Sequence, residues 1–310
     1  MASVHLRRRV ALTTALALSF GLTACGSDSL DTGSSQSGSN TPSESSKSVS
    51  ADQKLADMVP AAIKSKGTVT IGTDASYAPN EFLADDGKTI QGLDVDLVNA
   101  TLAKLGLKAN WQNASFGTIQ NNVQSGKYDM GVSSFTINKE RLGAVTMVSY
   151  FSAGTLWATK KGNPDKVNPA EPCGLTVGVQ KDTVQVDDLT TRSKKCTDAG
   201  KKGITQVVEQ DQSKVTANLV SGKVQAMASD SPIALYAVQQ TGDKLETVGD
   251  VYDSAPYGLV LKKDQTDFGK ALVEALKSIK SDGTYDSVLK KWNNTSGAVS
   301  TFEVNPSVGG

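Results

Sequence analysis

Five polar residues lie at or just after the ends of short β-branched segments that the sequence predicts to be strands. They supply two carboxylates, two hydroxyls and one amide: Asp74, Ser133, Ser134, Gln180 and Asp230. Because ligands of open α/β sheets bind beyond the carboxyl ends of the strands, we expect these side chains around one cleft. The set contains neither histidine nor thiol, so it suits the holding of a small zwitterion better than proton transfer.

Arg141 adds the opposite charge. Asn138 can cap a helix that begins at Lys139, which places Arg141 in the first turn of that helix. The helix dipole opposes a cation there by roughly a few tenths of a kcal/mol, so a local rule is broken. One interpretation is a solvated surface arginine. The other is a guanidinium that faces the cleft and binds a carboxylate through two parallel hydrogen bonds.

The elements that would position these residues alternate between short strands and helical segments, which is typical of an α/β architecture. The predicted strands are 68–72, 108–111, 130–133, 175–179, 205–208, 226–228 and 258–261. The predicted helices are 94–105, 118–125, 184–197, 214–221, 232–241 and 268–280.

A short pattern occurs twice. Val-Gln-Ser-Gly-Lys at 123–127 and Leu-Val-Ser-Gly-Lys at 219–223 each end a predicted helix and lead through a strand to a polar pair. Glycine is a common helix stop. Two such pairs at similar offsets indicate two similar lobes.

The N-terminal segment has the layout of an export signal. Three arginines at 7–9 precede an apolar run at 10–20, which is too short to span a bilayer comfortably, and small residues follow. Leu-Thr-Ala-Cys, ending at Cys25, resembles the lipobox of bacterial lipoproteins, in which the cysteine is lipidated and becomes the first mature residue. The alternative is an ordinary signal peptide with an incidental cysteine. We expect 1–24 to be a lipoprotein signal peptide and Cys25 to anchor the exported protein to the outer face of the cell membrane.

Residues 25–51 are rich in Ser and Gly and are expected to form a flexible linker, because they cannot bury enough apolar surface to offset their ordering entropy. The whole chain has a formal net charge of zero. Loss of the three leader arginines leaves about −3, so a nucleic-acid partner is not expected.

The remaining cysteines form a pair. With Cys25 assigned to the lipid, Cys173 and Cys196 are left in an oxidising compartment, where a disulfide is the expected state. Neither has metal-ligand spacing, and the single histidine, His5, lies in the leader. We therefore expect no metal, no cofactor and no histidine-based catalysis.

Several segments together resemble the family 3 extracellular solute-binding proteins, the polar amino-acid receptors of ABC importers. They are Gly-Thr-Asp-Ala-Ser-Tyr-Ala-Pro at 72–79, Gly-Leu-Asp-Val-Asp-Leu at 92–97, Gly-Lys-Tyr-Asp at 126–129 and Thr-Ile-Asn-Lys-Glu-Arg at 136–141. Asp-Gly-Thr-Tyr at 282–285 with Lys-Trp at 291–292 is similar to the C-terminal ending of that family. The resemblance runs from about residue 67 to about residue 292.

The resemblance implies an α/β, periplasmic-binding-protein-like type II fold, with two lobes joined by two hinge strands. Lobe 1 is expected at 52–159 plus 254–297 and lobe 2 at 160–253, with 298–310 as a C-terminal tail. The implied function is a non-enzymatic receptor that closes around a free amino acid and delivers it to an ABC transporter permease.

The resemblance also assigns roles within the cleft. The ligand carboxylate would be held by a cation, a hydroxyl and backbone amides: Arg141, Thr136, Thr183 and Val184. The ligand ammonium would be held by a carboxylate and a nearby carbonyl: Asp230 and Ser134. The ligand side chain would meet polar groups and aromatic walls: Asp74, Ser133, Gln180, Tyr77 and Phe116. The simpler alternatives are core aromatics, a helix cap for Asp230 and a loop-ordering role for Asp74.

Three positions depart from the usual family pattern. Asn80 replaces a common Phe, Asp182-Thr183-Val184 replaces Gly-Thr-Thr, and Gly117 replaces a common Asp. Asp74, with help from Asp182, favours a polar or cationic ligand. Two other functions stay open, namely a dehydratase of the same fold acting on prephenate-like acids and a receptor that signals through a separate partner.

Overall fold

The computed structural model of the protein describes residues 49–308. The predicted signal peptide, Cys25 and nearly all of the predicted linker lie outside the described residues. Within 49–308, no helix is both long and apolar enough to cross a membrane.

The strands belong to one large sheet and one small sheet. They are β1 (Thr68–Thr73), β2 (Ser76–Tyr77), β3 (Glu81–Leu83), β4 (Ile90–Gln91), β5 (Lys108–Asn113), β6 (Met130–Gly131), β7 (Thr146–Lys160), β8 (Thr176–Gln180), β9 (Thr205–Glu209), β10 (Ala226–Asp230) and β11 (Leu245–Leu261). The helices are α1 (Gln53–Ala56), α2 (Ala61–Lys64), α3 (Leu93–Lys104), α4 (Phe116–Gln124), α5 (Lys139–Ala144), α6 (Val184–Asp198), α7 (Gln212–Ser221), α8 (Ser231–Gln240), α9 (Thr266–Ser281) and α10 (Thr284–Lys291).

The large sheet has the strand order β5-β1-β6-β11-β7-β10-β8-β9. At one end β1 pairs in parallel with β5 and β6, and at the other β8 pairs in parallel with β9 and β10. The long strands β7 and β11 pair antiparallel with each other and join the two ends. The fold is therefore α/β with two lobes joined by two crossing strands, as predicted.

The two crossing strands carried little signal of their own in the sequence. Nearly every residue of β7 is buried, so the period-2 alternation of a half-exposed strand is absent. The strand β11 contains Gly249, Asp250 and Pro256, residue types that usually interrupt strands, and its pairing with β7 shifts register between Val248 and Tyr252 and again near Tyr257. The small sheet β2-β3-β4 and helix α10 were not predicted either.

Each lobe has its own apolar core. In lobe 1, helices α3 and α9 cover the sheet through residues such as Leu97 and Leu272, and Tyr285 of α10 joins them. In lobe 2, Val215 and Leu219 of α7 pack against one face, and Leu189 of α6 belongs to a cluster with Trp157 and Val177. Separate cores are consistent with lobes that move as units about β7 and β11, while the predicted lobe boundaries stay a prediction.

The repeated Ser-Gly-Lys pattern ends a helix in each lobe. Gly126 follows α4 with a φ of 80°, and Gly222 caps α7 with a φ of 83°. Because this left-handed region is open to glycine at little cost, both helices end where the chain must turn toward the next strand.

The C-terminal segment docks on lobe 1. The Ser149 amide donates to the Glu303 carbonyl at 3.0 Å, Val304 forms an isolated bridge with Val148, and the Asn305 side chain accepts from the Met147 amide at 2.8 Å. Phe302 is buried in the lobe 1 core. The segment predicted as a tail thus adds pairing to the start of β7.

Cys173 and Cys196 form a disulfide with Cα atoms 5.5 Å apart, as predicted. It joins the loop before β8 to the last turn of α6, within lobe 2.

Replacing both cysteines by serine is expected to lower the free energy of unfolding by about 3 kcal/mol, because the closed loop of 23 residues no longer restricts the unfolded chain. Chemical denaturation of wild type and the double variant measures this difference. Two free thiols in non-reducing peptide maps of the exported protein would contradict the assignment.

Candidate functional site

One cavity between the lobes is lined by all eleven residues that the sequence analysis assigned to ligand binding, together with Gln185. Their positions follow the strand ends. Asp74 comes directly after β1, Gln180 ends β8 and Asp230 ends β10, while Ser133 and Ser134 follow β6 closely. The expected cleft at the carboxyl ends of the parallel strands is therefore present.

Arg141 lies in the first turn of α5 and is fixed by local contacts. Its backbone amide donates to the Asn138 cap at 2.8 Å, and its Nη1 donates to the Thr136 carbonyl at 2.8 Å. The guanidinium lies 5.4 Å from the ring centre of Phe116 and 5.3 Å from that of Phe135. Those rings stack on each other with centres 4.5 Å apart, so they form an aromatic support for the cation.

No carboxylate forms a salt bridge with Arg141 among residues 49–308. Burial lowers the pKa of the guanidinium, and the nearby Asp230 carboxylate opposes that effect. A guanidinium that is partly buried and has no ion-pair partner is suited to receive a ligand carboxylate. The interpretation of Arg141 as a solvated surface residue does not fit this position.

Asp230 is buried and is held by uncharged donors. Its Oδ2 accepts from the Tyr257 hydroxyl at 2.7 Å and from the Tyr77 hydroxyl at 3.0 Å, and its Oδ1 accepts from Gln185 Nε2 at 2.8 Å. Burial raises the pKa of this carboxyl, while those hydrogen bonds and the Arg141 charge counteract the increase. The carboxylate is thus oriented but electrostatically unmatched, which suits it to an ammonium group.

Asp74 organises the opposite part of the cavity. Its Oδ2 accepts from the Phe116 amide at 2.9 Å and from Gln180 Nε2 at 3.1 Å, and its Oδ1 accepts from the Ser76 hydroxyl at 2.7 Å. Burial raises the pKa of this carboxyl as well. Asp74 therefore orders its own loop and also joins the lobes through Gln180, so both roles considered from the sequence are compatible with its position.

The N-terminus of α6 faces the cavity. Thr183 caps this helix without a side-chain hydrogen bond to it, because its hydroxyl donates instead to the Gln180 carbonyl at 2.7 Å. Thr183 and Val184 both line the cavity. The first amides of a helix have no partner within that helix, so they are available to an anion.

Two residues of the site were missed. Gln185 is buried in the first turn of α6 and donates to both Asp230 and Thr155. Gln185 directly follows Thr183 and Val184, so its position in the sequence could have identified it as a residue of the site. Tyr257 reaches Asp230 from β11, and no sequence pattern around it indicated that contact.

Asp182 does not line the cavity, so the expected help toward a cationic ligand is absent from this geometry. Its backbone has a φ of 62°, and its side chain is 47% exposed. The carboxylate lies against Gly117 in the first turn of α4, where an added Cβ atom would clash with Oδ2 of Asp182. Gly117 and Asp182, which both differ from the usual family pattern, are therefore neighbours across the cleft.

Gly117→Ala is expected to weaken ligand binding by about fivefold, because moving the half-exposed Asp182 side chain aside on closure of the lobes costs about 1 kcal/mol. The second change Asp182→Gly should restore affinity, since it removes the clashing atoms and glycine accepts the left-handed backbone. Calorimetric titration of the single and double variants measures this. A double variant no better than Gly117→Ala would show that Asp182 is not the obstacle.

Two α/β lobes joined by two crossing strands, with a polar cleft between them, define a periplasmic binding protein of type II. Residues 69–295 match the model of the bacterial extracellular solute-binding proteins, family 3, and the chain belongs to this family.

The chain is 32% identical over 249 residues to the arginine-binding protein ArgT of Corynebacterium glutamicum. The aligned region covers 80% of this chain and 81% of ArgT. It is also similar to an ancestral arginine-binding protein bound to arginine, with 32% identity, a TM-score of 0.67, and coverage of 73% of this chain and 98% of that one. A third similar structure is an ancestral amino acid-binding protein described as a precursor of cyclohexadienyl dehydratase, with 29% identity, a TM-score of 0.64, and coverage of 74% and 97%.

Proposed function

We propose that this protein is an exported, membrane-anchored receptor that binds a free amino acid between its lobes and delivers it to an ABC transporter permease. The observation that carries the proposal is the pairing of Arg141 and Asp230 in one cavity. Within the described part of the chain, neither has a salt-bridge partner, and Asp230 is buried while Arg141 is partly buried. An α-amino acid supplies the two complementary charges.

The carboxylate end of the ligand would lie at Arg141 and the start of α6. Arg141 offers a planar donor pair supported by Phe116 and Phe135, and the helix adds backbone amides at Thr183 and Val184. Charge-assisted hydrogen bonds of this kind are stronger in a desolvated cleft than in water.

The ammonium end would lie at Asp230, where Tyr77, Tyr257 and Gln185 hold the carboxylate in place. Ser134 also lines the cavity, and a carbonyl near it would accept from the same ammonium group. A ligand ammonium at this point gives the buried carboxylate the opposite charge that it lacks in the protein.

The side-chain end would lie toward Asp74, Ser133 and Gln180. A buried carboxylate at this end favours a polar or cationic side chain. The similarity to ArgT of Corynebacterium glutamicum makes arginine the first ligand to test.

A thermal-shift screen of the purified protein against the twenty amino acids, ornithine and citrulline tests this function. Calorimetric titration then gives the affinity of each hit. We expect saturable binding of at least one cationic or polar amino acid, with little response to its decarboxylated or deaminated analogue. Absence of binding to every amino acid would overturn the proposal.

Anchoring is tested separately. Cys25→Ser should move the protein from the membrane fraction to the soluble fraction or block its maturation, while amino-acid affinity stays as in wild type. Copurification with a permease, rather than with a sensor protein, distinguishes import from signalling.

A dehydratase is the second candidate, because one similar structure is described as a precursor of cyclohexadienyl dehydratase. Incubation with prephenate or arogenate, followed by detection of an aromatic product, tests it. The related binding proteins and the retained Arg141–Asp230 arrangement favour binding.

A further inference from the structure

Two carboxyl groups lie side by side beneath the serines of the cavity. Glu81 of β3 and Asp94 of α3 are each 0% exposed. Their partners within residues 49–308 include no basic side chain. A buried carboxylate without a cation is costly, and two adjacent ones are more so.

The hydrogen-bond donors around Glu81 and Asp94 contact only one oxygen of each carboxyl group. Glu81 Oε1 accepts from the Ser133 hydroxyl at 3.0 Å. Asp94 Oδ2 accepts from the Tyr150 hydroxyl at 2.5 Å and from the Ser134 amide at 3.1 Å. The other two oxygens, Glu81 Oε2 and Asp94 Oδ1, are buried and have no donor in the described residues.

We propose that Glu81 and Asp94 share one proton, held between these two oxygens, and that the resulting pair positions Ser133 and Ser134 at the ligand. A protonated carboxyl is a donor, so one proton satisfies both orphaned oxygens and removes one buried charge. The positioning of Ser133 and Ser134 at the ligand rests on the proposed amino-acid binding function. The shared proton does not depend on that function.

The serines depend on this pair for their orientation. Ser133 donates to Glu81 and accepts from the Asp74 amide at 3.0 Å. Ser134 has a φ of 52°, and its hydroxyl lies 3.4 Å from Glu81 Oε1 and 3.3 Å from Asp94 Oδ2. The pair therefore joins β3, α3 and, through Tyr150, the crossing strand β7 to the floor of the cavity.

Other ionisable groups that face the pair do not neutralise it. They are Tyr150 from β7, Tyr77 from β2 and Asp74 from the loop after β1. Burial, together with repulsion by Asp94, raises the pKa of Glu81 well above its usual range, and burial raises the pKa of Asp94 to about 6. A carboxyl whose pKa is raised by folding contributes stability at low pH, and that stability is lost as the pH rises through the folded value.

Glu81→Gln tests the shared proton. The glutamine amide can donate permanently to Asp94 while its carbonyl accepts from the serines, so the side chain at position 81 has no proton to lose. Without ligand, the melting temperature of wild type should fall relative to Glu81→Gln by about 2–5 °C per pH unit as the pH rises above about 5. The control Glu171→Gln makes the same change at an exposed site and should follow wild type throughout.

Parallel pH profiles of wild type and Glu81→Gln would overturn the shared proton. The melting measurement needs no ligand, so its outcome does not depend on whether the amino-acid screen finds a ligand. The positioning role is tested by comparing ligand affinity in Glu81→Ala and Glu81→Gln at pH 7. We expect at least tenfold weaker binding in Glu81→Ala, and equal affinities would show that the pair does not position the serines.

Discussion

Arg141→Ala is expected to lower affinity for the bound amino acid by roughly 30-fold to several-thousand-fold. The substitution leaves the ligand carboxylate in a desolvated cleft without its main cationic partner, and truncation of one member of a buried charge pair costs about 2–5 kcal/mol. Stability of the empty protein should fall by only about 1–2 kcal/mol, because Arg141 has no salt bridge within the described residues and its main internal contacts are one hydrogen bond and two aromatic rings.

Isothermal titration of wild type, Arg141→Ala and Arg141→Lys measures this effect. Lysine should recover part of the affinity, since a point charge cannot reproduce two parallel hydrogen bonds. The decarboxylated amine of the ligand, agmatine if the ligand is arginine, is the matched control. Its weak binding should be nearly the same in wild type and Arg141→Ala. A near-wild-type affinity for the amino acid itself would refute the assignment of Arg141.

Asp230→Asn is expected to weaken amino-acid binding by roughly 30-fold or more, because the ligand ammonium loses its anionic partner. The side chain keeps its shape, and the hydroxyls of Tyr77 and Tyr257 can rotate to accept from the new amide. Asp230→Asn therefore measures the effect of the negative charge of Asp230 separately from the effect of its shape.

The same variant has a signature in pH. Since folding raises the pKa of Asp230, its contribution to stability is present at low pH and is lost as the pH rises above the ordinary aspartate value of 3.8. Without ligand, Asp230→Asn should therefore become more stable relative to wild type as the pH increases. Titration with the deaminated analogue of the ligand is the control, and the two proteins should bind it alike. Equal affinities for the intact amino acid would place its ammonium elsewhere.

Much of the fold was predictable because strands such as β1, β8 and β10 are short, apolar and followed by polar residues. These local patterns directly reflect burial in a parallel sheet. The strands β7 and β11 join the lobes and are paired over long sequence distances, so their conformation depends on partners that no local window contains. Local pattern predicted only 258–261 of β11, and the crossing of the two strands was implied by the family resemblance.

The same distinction applies to the site. Asp74 and Asp230 stand at strand ends, where the sequence gives a position for each side chain. Tyr257 was missed because it acts from a crossing strand, and Glu81 because its partner Asp94 is brought to it by tertiary packing. The direction of the Asp182 side chain could not be predicted, since it depends on a left-handed backbone conformation that few residues other than glycine adopt.

Several hydrogen bonds between the lobes form from protein groups alone. Tyr77 binds Asp230, Gln180 binds Asp74, and the hydroxyl of Ser76 accepts from the amide of Gln212 at 3.0 Å. These bonds favour the closed conformation of the protein without ligand. The ligand therefore shifts this population by the excess of its own contacts over the internal ones that it displaces. Because Tyr77, Asp230, Gln180 and Asp74 also line the cavity, the same residues set both the ligand affinity and the closed population of the empty protein.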